Sequence, residues 1–145
     1  MKNDYHNILL AVELIPASDK RIIAKALEMV KEFKADLTVL HVIEHVSSYG
    51  AAYGVAVGAD IEQMLLDSAK KEIQKLGKQM DVPEKKQVLR VGPAGQLIIE
   101  EAEKQKSDLI IIGSHGRHGI RLILGSTANT VLHGAKCDVL AVRLK

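Results

Sequence analysis

Cysteine occurs once in these 145 residues, tryptophan not at all, and the other aromatics are three Tyr and one Phe. A lone Cys137 excludes an internal disulfide and points to a reducing compartment. Lying just before an apolar run, it reads as a small buried hydrophobe rather than a nucleophile. So few aromatics leave no stacking platform for single-stranded nucleic acid. Charge of one sign is missing too: 20 basic residues face 18 acidic ones, a formal net charge of +2 that makes no nucleic-acid footprint. No apolar run approaches the ~18 residues of a membrane span, and the first six residues lack a signal-peptide core. The expected location is therefore cytoplasmic. Repeats and low-complexity tracts are absent.

What is present is a regular alternation. A chain of this length forms one domain, residues 1–145, and buries about 68–70% of the surface its unfolded form exposes. Residues 7–12 are nearly all apolar, as in a strand covered on both faces. Ser18 is the predicted N-cap of a helix with Ile22, Ile23, Ala26, Leu27, Val30 and Phe33 at helical spacing. Residues 37–43 read as a second buried strand, with His41 as a satisfied core histidine. Residues 44–59, rich in Gly, Ala, Ser and Tyr, fit no period and are a long loop. A second helix turns Ile61, Leu65, Ala69, Ile73 and Leu76 inward and keeps its lysines in water. Residues 86–91 form a third strand, Gly92 and Pro93 a turn, and Leu97, Ile98 and Ala102 the inner face of a third helix. Residues 108–112 are the fourth strand. A last helix beginning at Ser126 sets Ala128, Val131, Leu132 and Ala135 on one face, and residues 138–143 close the chain as a fifth strand. Such alternation predicts an α/β fold: a parallel sheet with right-handed crossovers and helices on both faces.

The densest signal lies between residues 113 and 127. Gly113, Gly116 and Gly125 permit close approach to the backbone, and Ser126 and Thr127 stand where a helix offers free N–H groups and the positive end of its dipole. Strand, glycine-rich loop and helix N-terminus together make a phosphate cradle. Glycines also gather in ordinary βα loops, and Ser or Thr caps many helices. Two glycine clusters in one loop at the C-terminal end of a strand favour the ligand. The segment has neither the Gly-Lys-Ser/Thr of a P-loop nor the G-x-G-x-x-G dinucleotide fingerprint.

From residue 8 to residue 144 the chain resembles the universal stress protein family, whose nucleotide-binding branch carries G-x2-G-x9-G-(S/T). Gly113, Gly116, Gly125 and Ser126 match that pattern, with eight residues instead of nine between Gly116 and Gly125. The resemblance implies an open five-stranded sheet in the order 3-2-1-4-5, with a crevice between the C-terminal ends of strands one and four. It further implies an adenine nucleotide, AMP or ATP, with Mg2+ as the companion of ATP. Carried across, Ala11, Val12 and Val42 wall the base, and Val42 offers backbone groups to the adenine edge. Glu13 stands where those relatives usually place an Asp that reaches the ribose hydroxyls. Gly113, Gly116, Gly125, Ser126 and Thr127 receive the phosphates, and Arg117 and His118 add positive charge. A homodimer through the edge strand 138–143 is implied as well.

Catalysis has little to stand on. No Asp or Glu lies between Gly113 and Thr127, where phosphoryl transfer wants a carboxylate for its metal. His115 and His118 have no third metal ligand nearby in sequence. The expected function is a stress-response regulatory protein that binds an adenine nucleotide without dedicated chemistry. A nucleotide-free dimeric interaction protein and a slow ATP hydrolase are the alternatives. The retained loop glycines favour the first.

Overall fold

A computed structural model describes residues 4–44, 59–114 and 124–143. Five strands form one sheet: β1 (Asn7–Ala11), β2 (Asp36–Ile43), β3 (Gln87–Val91), β4 (Leu109–Gly113) and β5 (Asp138–Val142). Their order is β3-β2-β1-β4-β5 and every pairing is parallel, as expected. Among the described residues, four α-helices connect them: α1 (Pro16–Phe33), α2 (Ala59–Met80), α3 (Ala94–Lys104) and α4 (Ser126–Gly134). The loop expected over residues 44–59 lies, from 45 to 58, outside the described residues.

The continuous apolar runs of β1 and β4 make sense because the sheet is covered twice. Side chains alternate along a strand, so Ile8 and Leu10 meet Ile22 and Ala26 of α1 and Ile73 and Met80 of α2. Leu9, Ile110 and Ile112 instead meet Ile98 and Ala102 of α3 and Ala128 and Val131 of α4. Each fully covered Leu or Ile contributes about 1.5–3 kcal/mol. Helices α1 and α2 thus lie on one face, α3 and α4 on the other.

Some expectations need correction. Helix α1 begins at Pro16, two residues before the predicted cap Ser18, and Ile15 is its N-cap. Proline suits the first helical position because the N–H it lacks has no partner there anyway. Ile61 (46% exposed) and Leu65 (42%) are not inward. Both lie in the first two turns of α2, ahead of Ala69 and Ile73, where its buried face begins. Leu27 and Leu132 also face water, each at the margin of a helical face whose centre is buried.

Candidate functional site

Strand β1 pairs with β4 in parallel, Ile8 with Leu109 through Leu10 with Ile111. After β1 the chain leaves for the α1 face; after β4 it leaves for the α4 face. The two connections diverge and leave a crevice above the C-terminal ends, the usual ligand position in open α/β sheets.

One lip of the crevice is Gly113-Ser114 with Gly125. Ser114 donates its N–H to the Val142 carbonyl at 2.9 Å, extending the β4–β5 ladder by one residue. Gly125 donates its N–H to the Ser114 carbonyl at 2.8 Å, so the two ends of the glycine loop are hydrogen-bonded to each other. An excursion one residue shorter than the family pattern therefore still brings its ends together. Gly116, Arg117 and His118, with His115 and Arg121, lie outside the described residues.

Gly125 is also the N-cap of α4, and its carbonyl accepts the first helical bond, from Asn129 N–H at 2.8 Å. Helix geometry leaves the N–H groups of Ser126, Thr127 and Ala128 without an intrahelical acceptor. A glycine cap has no side chain to meet them. Ser126 is exposed and Thr127 half-buried. This helix end attracts an anion by about 0.3–1 kcal/mol, up to ~2 where partly buried.

The other lip is the end of β1 with the upper part of β2. Ala11 and Val42 are half-buried and pack on the α3–α4 face, whereas Val12 is buried on the α1–α2 face. The structure thus brings Ala11 and Val42 to one side of the sheet and sends Val12 to the other. The Val12 backbone is engaged as well: its N–H goes to the Leu40 carbonyl at 2.9 Å, and its carbonyl accepts from His41 Nδ1 at 2.8 Å. That bond makes His41 a satisfied histidine, as its sequence setting suggested.

Along β2 the backbone groups of successive residues point to opposite sides. The Leu40 carbonyl serves Val12 on the β1 side, and the Ile43 carbonyl accepts Gly92 N–H on the β3 side. By this alternation Val42 turns its N–H and C=O towards β1, above the point where that strand has ended. A donor and an acceptor side by side are what the edge of a purine base pairs with.

Glu13 is half-buried and follows directly on β1. The turn around it carries the feature that sequence reasoning missed. Asp19, only 2% exposed, accepts the N–H groups of Glu13 (3.0 Å), Leu14 (2.8 Å) and Ile15 (3.2 Å). Burial raises its carboxyl pKa above the usual aspartate value, while those three N–H donors and the nearby His41 pull it back down. An acidic residue in the first turn of a helix was the available signal, but it reads equally well as a solvated dipole partner.

Among the described residues no three His, Cys, Asp or Glu side chains are grouped to hold a metal, and no helix is long and apolar enough to cross a membrane. Two shallow grooves lie elsewhere. One, beside the half-buried Cys137, is walled by Ile99, Ala102 and Ala135; the other lies between α2 and β3.

Residues 4–143 match the model of the universal stress protein family. The chain is 54% identical over 143 residues to Universal stress protein A homolog 2 of Coxiella burnetii, covering 99% of this chain and 98% of that protein. Among solved structures it is similar to the hypothetical protein MJ0577, with a TM-score of 0.80 at 23% identity over 97% of each chain. A universal stress protein in complex with cAMP gives 0.65 at 16% identity, over 99% of this chain and 100% of that one. At such identities the two structures speak for the fold.

Proposed function

This chain belongs to the universal stress protein family, and we propose that it is a stress-response regulatory protein that binds an adenine nucleotide, AMP or ATP, without dedicated catalysis. One observation carries this reading: the Gly125–Ser114 hydrogen bond sets the open N-terminus of α4 at the end of β4, beside the end of β1. In this reading Val42 presents its N–H and C=O to the adenine edge, and Ala11 flanks the base. Glu13 accepts from the ribose hydroxyls. Gly113 and Gly125 let the phosphates come close, and Ser126 and Thr127 donate to them, with Gly116, Arg117 and His118 contributing from the excursion. Mg2+ would come with ATP, held through its phosphates. The complex of a structural neighbour with cAMP, itself an adenine nucleotide, is consistent with this assignment.

A regulator rather than an enzyme is favoured by the missing carboxylate between Gly113 and Thr127. The same reading includes a homodimer through residues 138–143. Ser114 N–H binds the Val142 carbonyl, so by alternation Val139 and Ala141 direct their N–H and C=O groups to the free edge of the sheet. An edge of that kind is best closed by its own copy across a two-fold axis.

Thermal unfolding tests the nucleotide. At 100 times Kd, linkage adds about 2.7 kcal/mol, which for a domain of this size raises the midpoint by about 5–10 °C. That upshift is expected with AMP or ATP, and mass spectrometry of small molecules released from purified protein identifies the resident one. If AMP, ADP and ATP at millimolar concentration all leave the midpoint unmoved, the nucleotide-free interaction protein is the correct reading.

A further inference from the structure

We propose that Asp19 is the positioning residue of the ribose end of this site: an internal carboxylate that holds Glu13 in place through the backbone and so sets how strongly ribose hydroxyls are recognised. The inference rests on the nucleotide reading above and adds to it a residue that touches no ligand.

The peptide unit joining Val12 to Glu13 is held at both of its polar ends. Its carbonyl accepts from His41 Nδ1 at 2.8 Å, and its N–H is donated to Asp19 Oδ1 at 3.0 Å. Both polar groups of this peptide are therefore gripped by side chains, one from β2 and one from α1. A carbonyl only accepts, so the His41 hydrogen sits on Nδ1. With the peptide plane fixed at both ends, the direction in which residue 13 leaves the backbone is fixed as well.

The next two residues need the same carboxylate. Leu14 has φ of 61°, the left-handed region that residues with a side chain enter only at a cost. Such a conformation persists when its surroundings over-determine it. Asp19 Oδ2 accepts from Leu14 and Ile15, so three successive N–H groups converge on one anion. Successive backbone N–H groups in a turn form a natural anion nest. Here the chain fills the nest itself, from a side chain buried almost completely and anchored in the first turn of α1. Glu13 is longer by one methylene than the Asp usual at its position. Its reach to a hydroxyl then depends on where the backbone puts it, and short hydrogen bonds tolerate only a few tenths of an ångström.

Asp19→Asn keeps the shape of the side chain but turns an NH2 group towards N–H donors. Calorimetric titration with AMP and with 2′,3′-dideoxy-AMP reads the consequence. The natural protein should bind AMP about tenfold more tightly, the factor expected of hydrogen bonds to a charged acceptor. In Asp19→Asn that ratio should fall towards one, with dideoxy-AMP affinity nearly unchanged. His41→Leu, which frees the other end of the same peptide, should lower the ratio too and serves if Asp19→Asn does not fold. In Asp19→Ala, added formate should restore the ratio by refilling the nest. Equal weakening of both nucleotides in the variants, or an unchanged ratio, would overturn the positioning role while leaving nucleotide binding intact. A natural protein that binds AMP without discriminating against dideoxy-AMP would overturn it as well. Binding of neither nucleotide by the natural protein would overturn the nucleotide reading, and this assignment with it.

Discussion

Gly125 has φ of −61° and ψ of 152°, a conformation open to every L-residue. Replacing it therefore tests contact rather than backbone strain. Gly125→Val should leave the fold intact and lower the unfolding midpoint of the free protein by only a few degrees, since valine is a poorer N-cap than glycine. Its branched side chain would take the space of a phosphate and hold it off the Ser126 and Thr127 donors, and AMP affinity should drop by about tenfold or more, as when one hydrogen bond to a charged group is lost. Titration beside circular dichroism checks this, and natural affinity in a folded variant would remove the glycine from the site. Residues differ in how legible they were. Gly113, Gly125, Ser126 and Thr127 stand out as candidates in the sequence because their types say what they permit or donate. Asp19 was not, because its partners are N–H groups of a turn that folds back over it, and the turn depends on Leu14 adopting a positive φ. No spacing in the sequence reports that. Val12 shows the limit of strand position alone: next to Ala11 in sequence, it faces the opposite layer.

At the scale of elements, helices α3 and α4 touch at Gly95, where an added Cβ would stand 2.7 Å from both Cβ and Cγ2 of Thr130. Rotation of Thr130 moves Cγ2 but cannot move its Cβ, so Gly95→Ala must push the helices apart. Overpacking of this kind costs about 1–3 kcal/mol, which outweighs the ~1 kcal/mol that alanine gains in helix propensity. A net destabilisation of up to ~2 kcal/mol is expected, or a midpoint lower by up to about 4–8 °C at ~2–4 °C per kcal/mol. Calorimetry checks it, and an unchanged or higher midpoint would show that the helices yield freely. The elements themselves were largely legible. β1 and β4 announced burial on both faces, and α4 begins at the Ser126 where its pattern began. Strand order came from family likeness, since alternation gives a parallel sheet but not which strands are neighbours. Inward faces were misjudged at the start of α2, where Ile61 and Leu65 are exposed although they share the apolar spacing of Ala69 and Ile73. Periodicity records which side of a helix is apolar; it does not record which turns of that side are covered.

At the scale of the whole molecule the proposed homodimer is tested at β5. Proline at Ala141 removes an N–H from the free edge of β5, while the groups of Asp138, Leu140 and Val142 stay directed at β4. Light scattering at micromolar concentration should find a homodimer for the natural protein and a folded monomer for Ala141→Pro. A natural protein that runs as a monomer would refute edge pairing. The winding of the sheet also has a consequence for how the chain is made. β1 meets β2 across about 30 residues and β5 joins β4 across about the same, but Ile8 waits for Leu109 about 100 residues later. On a ribosome adding about 5–20 residues per second, that interval lasts roughly 5–20 s. Throughout it a strand that is deeply covered in the finished protein, with Leu9 and Leu10 at 0% exposure, has one ladder edge that its own chain has not yet supplied. Newborn chains are thus most open to mispairing at the seam where the crevice will later form.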